Sequence, residues 1–298
     1  MELRRIRLFT ILILLIGIGI TSVAVYAEIA GGDADGLLDR YDRIRDKLED
    51  NQFGQPIYLT SDIEERSTNG QLSGLIDFPF ERVASAFKSG SDWCNILMLH
   101  LNVKYCNASG NGKEETLEVF AGRKHYQELD STYPGEYVFR VVENSADYFQ
   151  VVLTSESGPF RTRNYRIMLE AAPVDARRTF IHFTYSYEFG LLAKTAQSVY
   201  FNTAARGKVG FTVIGRTPDG APEYVGGVQG AIERNVMRYY LAIKACLNSL
   251  SVPPPERLEK RLEDWFDYTE HFPLQLREVE KDEYMDMKRR EHQRLNTR

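Results

Sequence analysis

The sequence is short of most residues and patterns that mark a particular chemistry. Three cysteines, Cys94, Cys106 and Cys246, in 298 residues are too few for a disulfide-stapled scaffold or a Cys-rich metal fold. The five histidines, His100, His125, His182, His271 and His292, lack the i, i+4 and Cys/His spacings that gather metal ligands. There is no G-x-S-x-G nucleophile elbow. The stretch from Gly226 to Gly230, GGVQG, lacks the lysine of a phosphate loop and the spacing of a dinucleotide fingerprint, and reads as a turn. Neither a metal nor a cofactor is expected. Positive charge is scarce too, with 37 Lys and Arg against 42 Asp and Glu. That balance argues against nucleic acid, whose binding rests on neutralising phosphates, and against non-specific adhesion to anionic membrane.

One long apolar run is present, at the N-terminus. Arg4, Arg5 and Arg7 precede an almost uninterrupted hydrophobic stretch from Leu8 to Val25, followed by small residues. Val25 and Ala27 suit the −3 and −1 positions of a signal-peptidase site, with cleavage before Glu28. The alternative is a retained anchor, since the run approaches the ~20 residues that span a bilayer. Residues 1–27 are therefore read as a signal peptide or membrane anchor, and the body as exported, periplasmic or secreted. Removing them leaves 34 basic against 41 acidic residues, a net charge of −7.

The full sequence is 43% hydrophobic and 27% charged, the proportions of a globular protein with a sizeable core. Leu37, Tyr41, Ile44 and Leu48 form one helical stripe. QPIYLTSDIEE alternates as a half-buried strand, and a turn at STNG leads to an antiparallel partner, QLSGLIDF. Pro79 suits the first turn of a helix and keeps Phe78 extended. Phe80, Val83, Ala84 and Phe87 then give one apolar face, which Ser89-Gly90-Ser91 ends. A meander follows, with strands at LHLNVKYC, TLEVFAGRK, EYVFRVVEN, DYFQVVLTS, RNYRIMLEAAP and RTFIHFTYSYEF. In each of the last four, one parity is bulky and apolar: Tyr137, Phe139, Val141; Phe149, Val151, Leu153; Tyr165, Ile167, Leu169; Ile181, Phe183, Tyr185, Tyr187. The other is mixed or polar, as in an antiparallel sheet with one wet face.

A helix is expected from Gly190 to Ala205, then a strand at GKVGFTVIG with Val209, Phe211 and Val213 on one side. The longest helix, AIERNVMRYYLAIKACLNSL, carries Ile232, Val236, Tyr239 or Tyr240, Ile243, Leu247 and Leu250 on its stripe. Three prolines after Val252 break the chain. RLEKRLEDWFDYTEHF is a shorter amphipathic helix, and the charge-dense end reads as a solvated helix or frayed tail. Residues 33–252 thus form the main domain and residues 253–298 a charged helical extension.

IDFPFERVASAFKSGSDW resembles the START and polyketide-cyclase-like superfamily, in which a strand passes into a Pro-initiated helix with a tryptophan nearby. GKVGFTVIGRTPDGAPEYV is similar to the last strand and turn of that superfamily. Asp219, Gly220 and Pro222 are present, and Tyr224 stands where tryptophan is usual. The resemblance covers about residues 55–250. It implies an α+β helix-grip fold, a curved antiparallel sheet wrapped around a long C-terminal helix. It also implies a cavity between them for a lipid or other hydrophobic small molecule, lined by Trp93, Phe139, Phe149, Tyr165, Phe183, Tyr185, Phe211, Val236 and Tyr240. A filled core is the alternative, in which the protein is a scaffold acting through its C-terminal helix. An enzyme of cyclase or hydrolase type would use the same cavity, with His100 and Glu170 as its weak candidates for proton transfer. No protein partner is identified.

Arg161, Arg163 and Arg166 form either an anion-binding rim or a solvated patch, and Arg166 and Glu170 share a strand parity suited to cross-strand ion pairs. Cys94 and Cys106 can pair in an oxidising compartment only if the chain turns near Leu97 to His100. A straight strand rising roughly 3.3 Å per residue would hold them well beyond the Cα separation of about 7 Å that a bridge tolerates. Cys246 falls in a helical pattern and packs as a small hydrophobe.

Overall fold

The computed structural model describes residues 32–111, 114–190 and 207–295. The apolar N-terminal run and nearly all of the helix expected from Gly190 to Ala205 lie outside the described residues. Among the described residues no helix is long and apolar enough to cross a membrane.

Eight antiparallel strands make the main sheet: β1 (Ile57–Ile63), β2 (Ser67–Ile76), β3 (Val103–Asn111), β4 (Glu114–Ala121), β5 (Tyr133–Asn144), β6 (Phe149–Ser157), β7 (Thr162–Pro173) and β8 (Thr179–Phe189). Their spatial order is β1-β2-β8-β7-β6-β5-β4-β3. The last strand therefore returns to lie beside β2, and the bulky parities of β5 to β8 fall on one face. That face carries the main core with the long helix α4 (Gly227–Asn248) against it. This is the helix-grip arrangement. Two glycines of β2 set how closely the helix approaches. A Cβ on Gly70 would lie 2.5 Å from Val236 Cγ2, and one on Gly74 would lie 3.0 Å from the Tyr240 ring. Only glycine leaves the room that this helix-to-strand packing uses.

The outer face is half covered. Helix α1 (Ala34–Glu49), capped by Asp33 Oδ1 accepting the Gly36 N–H at 2.7 Å, seats Leu37 and Leu48 on a satellite core with Tyr148, Ala172 and Phe180. Beneath it runs a polar row set by strand register, Ser73 opposite His182 and His182 opposite Glu170. His182 Nδ1 lies 2.9 Å from Ser73 Oγ. The Tyr148 hydroxyl donates to Glu170 Oε1 at 2.6 Å. Glu170 makes that bond in place of the cross-strand ion pair expected of its parity.

Between β2 and β3 lie two short helices, α2 (Phe80–Ala86) and α3 (Gly90–Leu97). Pro79 stands at the N-cap of α2 with φ −58°, and Phe80, Val83, Ala84 and Phe87 are all buried. Ser89-Gly90-Ser91, expected to end the helix, starts the next one. Ser89 Oγ accepts the Asp92 N–H at 3.2 Å, an N-cap that the SxxD spacing could have disclosed. Trp93 is fully buried and donates its Nε1–H to the Phe87 carbonyl at 3.0 Å, closing the junction between the helices. After α3 the chain turns through Met98–Asn102, so the strand expected from Leu99 begins only at Val103. That turn joins Cys94 to Cys106 in a disulfide with Cα atoms 5.2 Å apart.

Three further expectations need correction. STNG is not a turn: it begins β2, and the reversal lies at Glu64–Arg66. The strand expected over GKVGFTVIG is reduced to β9 (Val213–Arg216), which pairs with β10 (Pro222–Tyr224) in a separate ribbon and not with the main sheet. Buried Glu233 is the cause. Its carboxylate accepts the backbone N–H groups of Phe211 and Thr212 at 2.6 and 2.9 Å and the hydroxyls of Ser61 and Thr212, both at 2.6 Å. Those N–H groups are then lost to a ladder. The charge-dense end is not a free helix, because α5 (Arg257–Thr269), α6 (Pro273–Leu276) and α7 (Lys281–Leu295) each pack one face on the body. Tyr284 stacks on Trp265 with ring centroids 4.9 Å apart. Lys288 donates to the carbonyls of His100 and Val103, each at 2.8 Å, and to Glu291. Glu291 also faces Lys104 at 3.0 Å, all three being sealed from solvent.

Candidate functional site

At one end of the gripped face, side chains from four elements converge as a tyrosine cluster. Tyr137 comes from β5, Tyr165 from β7, Tyr185 and Tyr187 from β8, and Tyr239 from α4. Strand pairing sets the rings side by side. Tyr165 lies 6.2 Å from Tyr137, 6.1 Å from Tyr185 and 5.2 Å from Tyr187 between ring centroids. Tyr239 reaches down from the helix to within 5.6 Å of Tyr185 and 6.0 Å of Phe183. Such offset and tilted geometries are those aromatic pairs favour.

The hydroxyls distinguish this cluster from an ordinary core. Tyr165 Oη lies 2.6 Å from Thr162 Oγ1. The hydroxyls of Tyr137, Tyr185, Tyr187 and Tyr239 hydrogen-bond no other described residue. None of the four is among the sealed polar atoms without a partner. Burial raises the phenols of Tyr137 and Tyr185 well above 10, with their tyrosine neighbours adding to the effect. Tyr187 and Tyr239 are raised for the same reasons. All four are neutral donors at physiological pH.

His100 borders the cluster, stacked on Tyr239. Its Nδ1 accepts the Asn102 N–H at 3.1 Å, which places its proton on Nε2, 3.4 Å from Asn235 Oδ1. Burial, then the nearby charges of Arg238 and Lys288, hold its pKa well below 6.5. With both nitrogens engaged the imidazole is a neutral structural group. Beyond it, Lys124, Arg238 and Lys208 converge on Glu278 at 2.6, 3.0 and 2.9 Å. Burial alone would raise the Glu278 carboxyl, but Arg238 and Lys124 outweigh it and bring the pKa down to about 2.

The nine expected lining residues are all buried in the main core, but they are not one group. Tyr165, Phe183 and Tyr185 belong to the cluster. Phe139 and Phe149 share its sheet face. Val236 and Tyr240 face the glycines of β2, and Trp93 belongs to the α2–α3 junction. Phe211 packs with Phe53 and Phe272, 5.7 and 5.5 Å away. Tyr137, Tyr187 and Tyr239 complete the site. The first two could have been added from strand parity, since Tyr137 is two residues from Phe139 and Tyr187 two from Tyr185. Glu170 lies on the opposite face from the cluster, so the two proton-transfer candidates are not brought together. Arg163 pairs with Glu188 at 3.1 Å, and Arg161 is exposed.

Two pockets stand out among the described residues, one between helices and one on the outer sheet face. One, of about 40 Å³, is enclosed by Met98, Leu262, Arg261 and His292, among others, where α3, α5 and α7 meet. The other is an open groove of about 370 Å³ on the outer sheet face. No group of His, Cys, Asp and Glu among the described residues is placed to hold a metal ion.

No protein-family model and no curated protein matches this sequence. Solved structures do. The aromatase/cyclase Zhui from Streptomyces sp. R1128 is 11% identical, covering 65% of this chain and 94% of its own, with a TM-score of 0.34. A conserved protein from Geobacillus kaustophilus is 17% identical over 46% of this chain and 85% of its own, with a TM-score of 0.33. A START superfamily protein from Mycobacterium smegmatis is 12% identical over 49% and 92%, with a TM-score of 0.29. These are distant likenesses of fold.

Proposed function

We propose that this chain is an exported helix-grip domain that binds a lipid or other apolar small molecule between the sheet and α4, entering at the tyrosine cluster. It acts as a carrier, sensor or holder, without turnover. One observation supports this reading: four tyrosine rings gather at one end of the gripped face with hydroxyls that hydrogen-bond no other described residue. A buried hydroxyl left unpaired costs about 1–3 kcal/mol, and phenylalanine would fill the same volume without that cost. Tyrosines here suit a ligand that is mostly apolar and carries hydrogen-bond acceptors. At roughly 25 cal/mol per Å² of apolar area, a ligand hiding ~300 Å² gains on the order of 7 kcal/mol before ordering costs.

The engagement of both nitrogens of His100, and the position of Glu170 under α1, count against an enzyme using either group. The sealed charges of Lys104, Lys288 and Glu291 count against a C-terminal helix free to recruit a partner. In this reading the N-terminal segment directs export, and if retained it tethers the domain to the membrane.

Native mass spectrometry of the protein purified from a secreting host tests the proposal. The expected result is a chain starting at Glu28 with an adduct released by organic solvent. A bare mass in every preparation, with no adduct after incubation with phospholipid or fatty acid, contradicts ligand binding. An intact N-terminus contradicts cleavage alone.

A further inference from the structure

The outer sheet face holds a second arrangement, independent of the apolar site and on the other side of the strands. Register aligns Asp62, Asn69, Ser186, Arg166 and Thr154 in a row across β1, β2, β8, β7 and β6. Arg166 lines the open groove of about 370 Å³ with Ser67, Asn69, Asn164, Thr184, Ser186 and Glu188.

Three features mark Arg166 as open to a partner beyond the described residues. It is half-buried, yet among the described residues no carboxylate reaches it within ion-pair distance, the charge of Glu170 acts on it only from further off, and its one hydrogen-bonding neighbour is Met168 Sδ at 3.6 Å. The nearby acids are committed elsewhere: Glu170 to the Tyr148 hydroxyl and Glu188 to Arg163. Finally, β7 is bulged between Arg163 and Arg166, and Asn164 within the bulge has φ +51°. A left-handed residue costs backbone energy, least for glycine and asparagine, and bulges re-aim side chains beside binding sites. Here the bulge brings the Asn164 amide into the same groove as the guanidinium.

A guanidinium with amides and hydroxyls around it suits an oxyanion, which accepts two parallel N–H bonds from the fork. We propose that this groove binds a small hydroxylated acid, its carboxylate or phosphate on Arg166 and its hydroxyls on Asn69, Asn164, Thr184 and Ser186.

Calorimetric titration of the mature chain with D-glucuronate, glucose 6-phosphate, inorganic phosphate and neutral glucose tests this. Either acidic sugar should bind saturably and about tenfold or more tighter than glucose, a factor set by the charged pair. The comparison of glucuronate with glucose 6-phosphate and phosphate distinguishes a carboxylate from a phosphate site. Arg166→Gln should raise the dissociation constant about tenfold or more, and Arg166→Lys, which keeps the charge and loses the fork, should fall between. Amide shifts in the wild-type chain should cluster on the outer strand residues, a readout that holds even if a variant misfolds. Acids binding no tighter than glucose, affinity unchanged in Arg166→Gln, or shifts at the tyrosine cluster would overturn the proposal. None of these outcomes bears on the apolar site.

Discussion

The imidazole of His100 lies against the ring of Tyr239, centroids 5.1 Å apart and planes 26° from parallel. This contact joins the α3–β3 turn to α4 beside the cluster, and burial, then Arg238 and Lys288, keep the ring uncharged. His182, sealed under α1 beside Ser73, is also neutral, its pKa lowered by burial, then by Arg40, to about 3.

Both histidines make the fold acid-sensitive in a pH range above that of the carboxylates. Unfolded, each takes up a proton near pH 6.5. Folded, His182 does so only near pH 3 and His100 well below 6.5. The unfolded chain therefore binds more protons below 6.5, and stability falls with pH from there by up to ~1.4 kcal/mol per pH unit for each histidine. Urea unfolding at pH 7.5, 6 and 5 should show this loss, and His182→Asn should flatten the slope by about one proton.

Glu278 acts in a lower window. Its pKa is depressed to about 2, so its stabilisation is complete above the ordinary carboxylate value and is lost as pH falls toward 2. Glu278→Gln leaves Lys124, Lys208 and Arg238 facing one another. It should cost on the order of 2–3 kcal/mol at pH 7 and far less at pH 2.5, as chemical denaturation would measure.

The closeness of β2 to α4 depends on Gly70. In Gly70→Ala the new methyl would meet Val236 and Ile232, and overpacking of this kind costs about 1–3 kcal/mol. The double change Gly70→Ala with Val236→Ala should recover part of the loss in a thermal melt. Additive losses would show that the clash is not the cause.

The Cys94–Cys106 bridge closes a short loop that includes the turn carrying His100. Replacing both cysteines by serine should lower stability by roughly 2–3 kcal/mol, the entropy of a loop this size. It should also raise hydrogen exchange in Met98–Asn102 more than in β7 or β8.

Sequence periodicity disclosed the meander well, because strands with one wet face alternate visibly. Tyr165, Ile167 and Leu169 face the core as their spacing indicates, and Pro79 starts a helix for the reason its ring dictates. Where tertiary partners override local pattern, the sequence was silent. Val209 to Val213 alternates like a strand, but Glu233, twenty residues on, captures the backbone that a ladder would need. The last helix looks solvated because Lys288 and Glu291 are charged, and only Lys104 with the His100 and Val103 carbonyls makes their burial affordable. The site was half legible. Parity pointed to Tyr165 and Tyr185, while the choice of Tyr239 over Tyr240 depends on how α4 is rotated against the glycines of β2, which no single element reveals.

The central claim is that the clustered phenols serve a guest molecule and not the fold. Titration of a dansyl-labelled fatty acid into the wild-type chain and into Tyr137→Phe/Tyr185→Phe/Tyr239→Phe tests it most directly. The account predicts saturable binding by the wild type, weakened about tenfold or more in the triple variant, whose melting temperature is unchanged or higher because unpaired hydroxyls have been removed. No saturable binding by the wild type, or equal affinity in both chains, would contradict it.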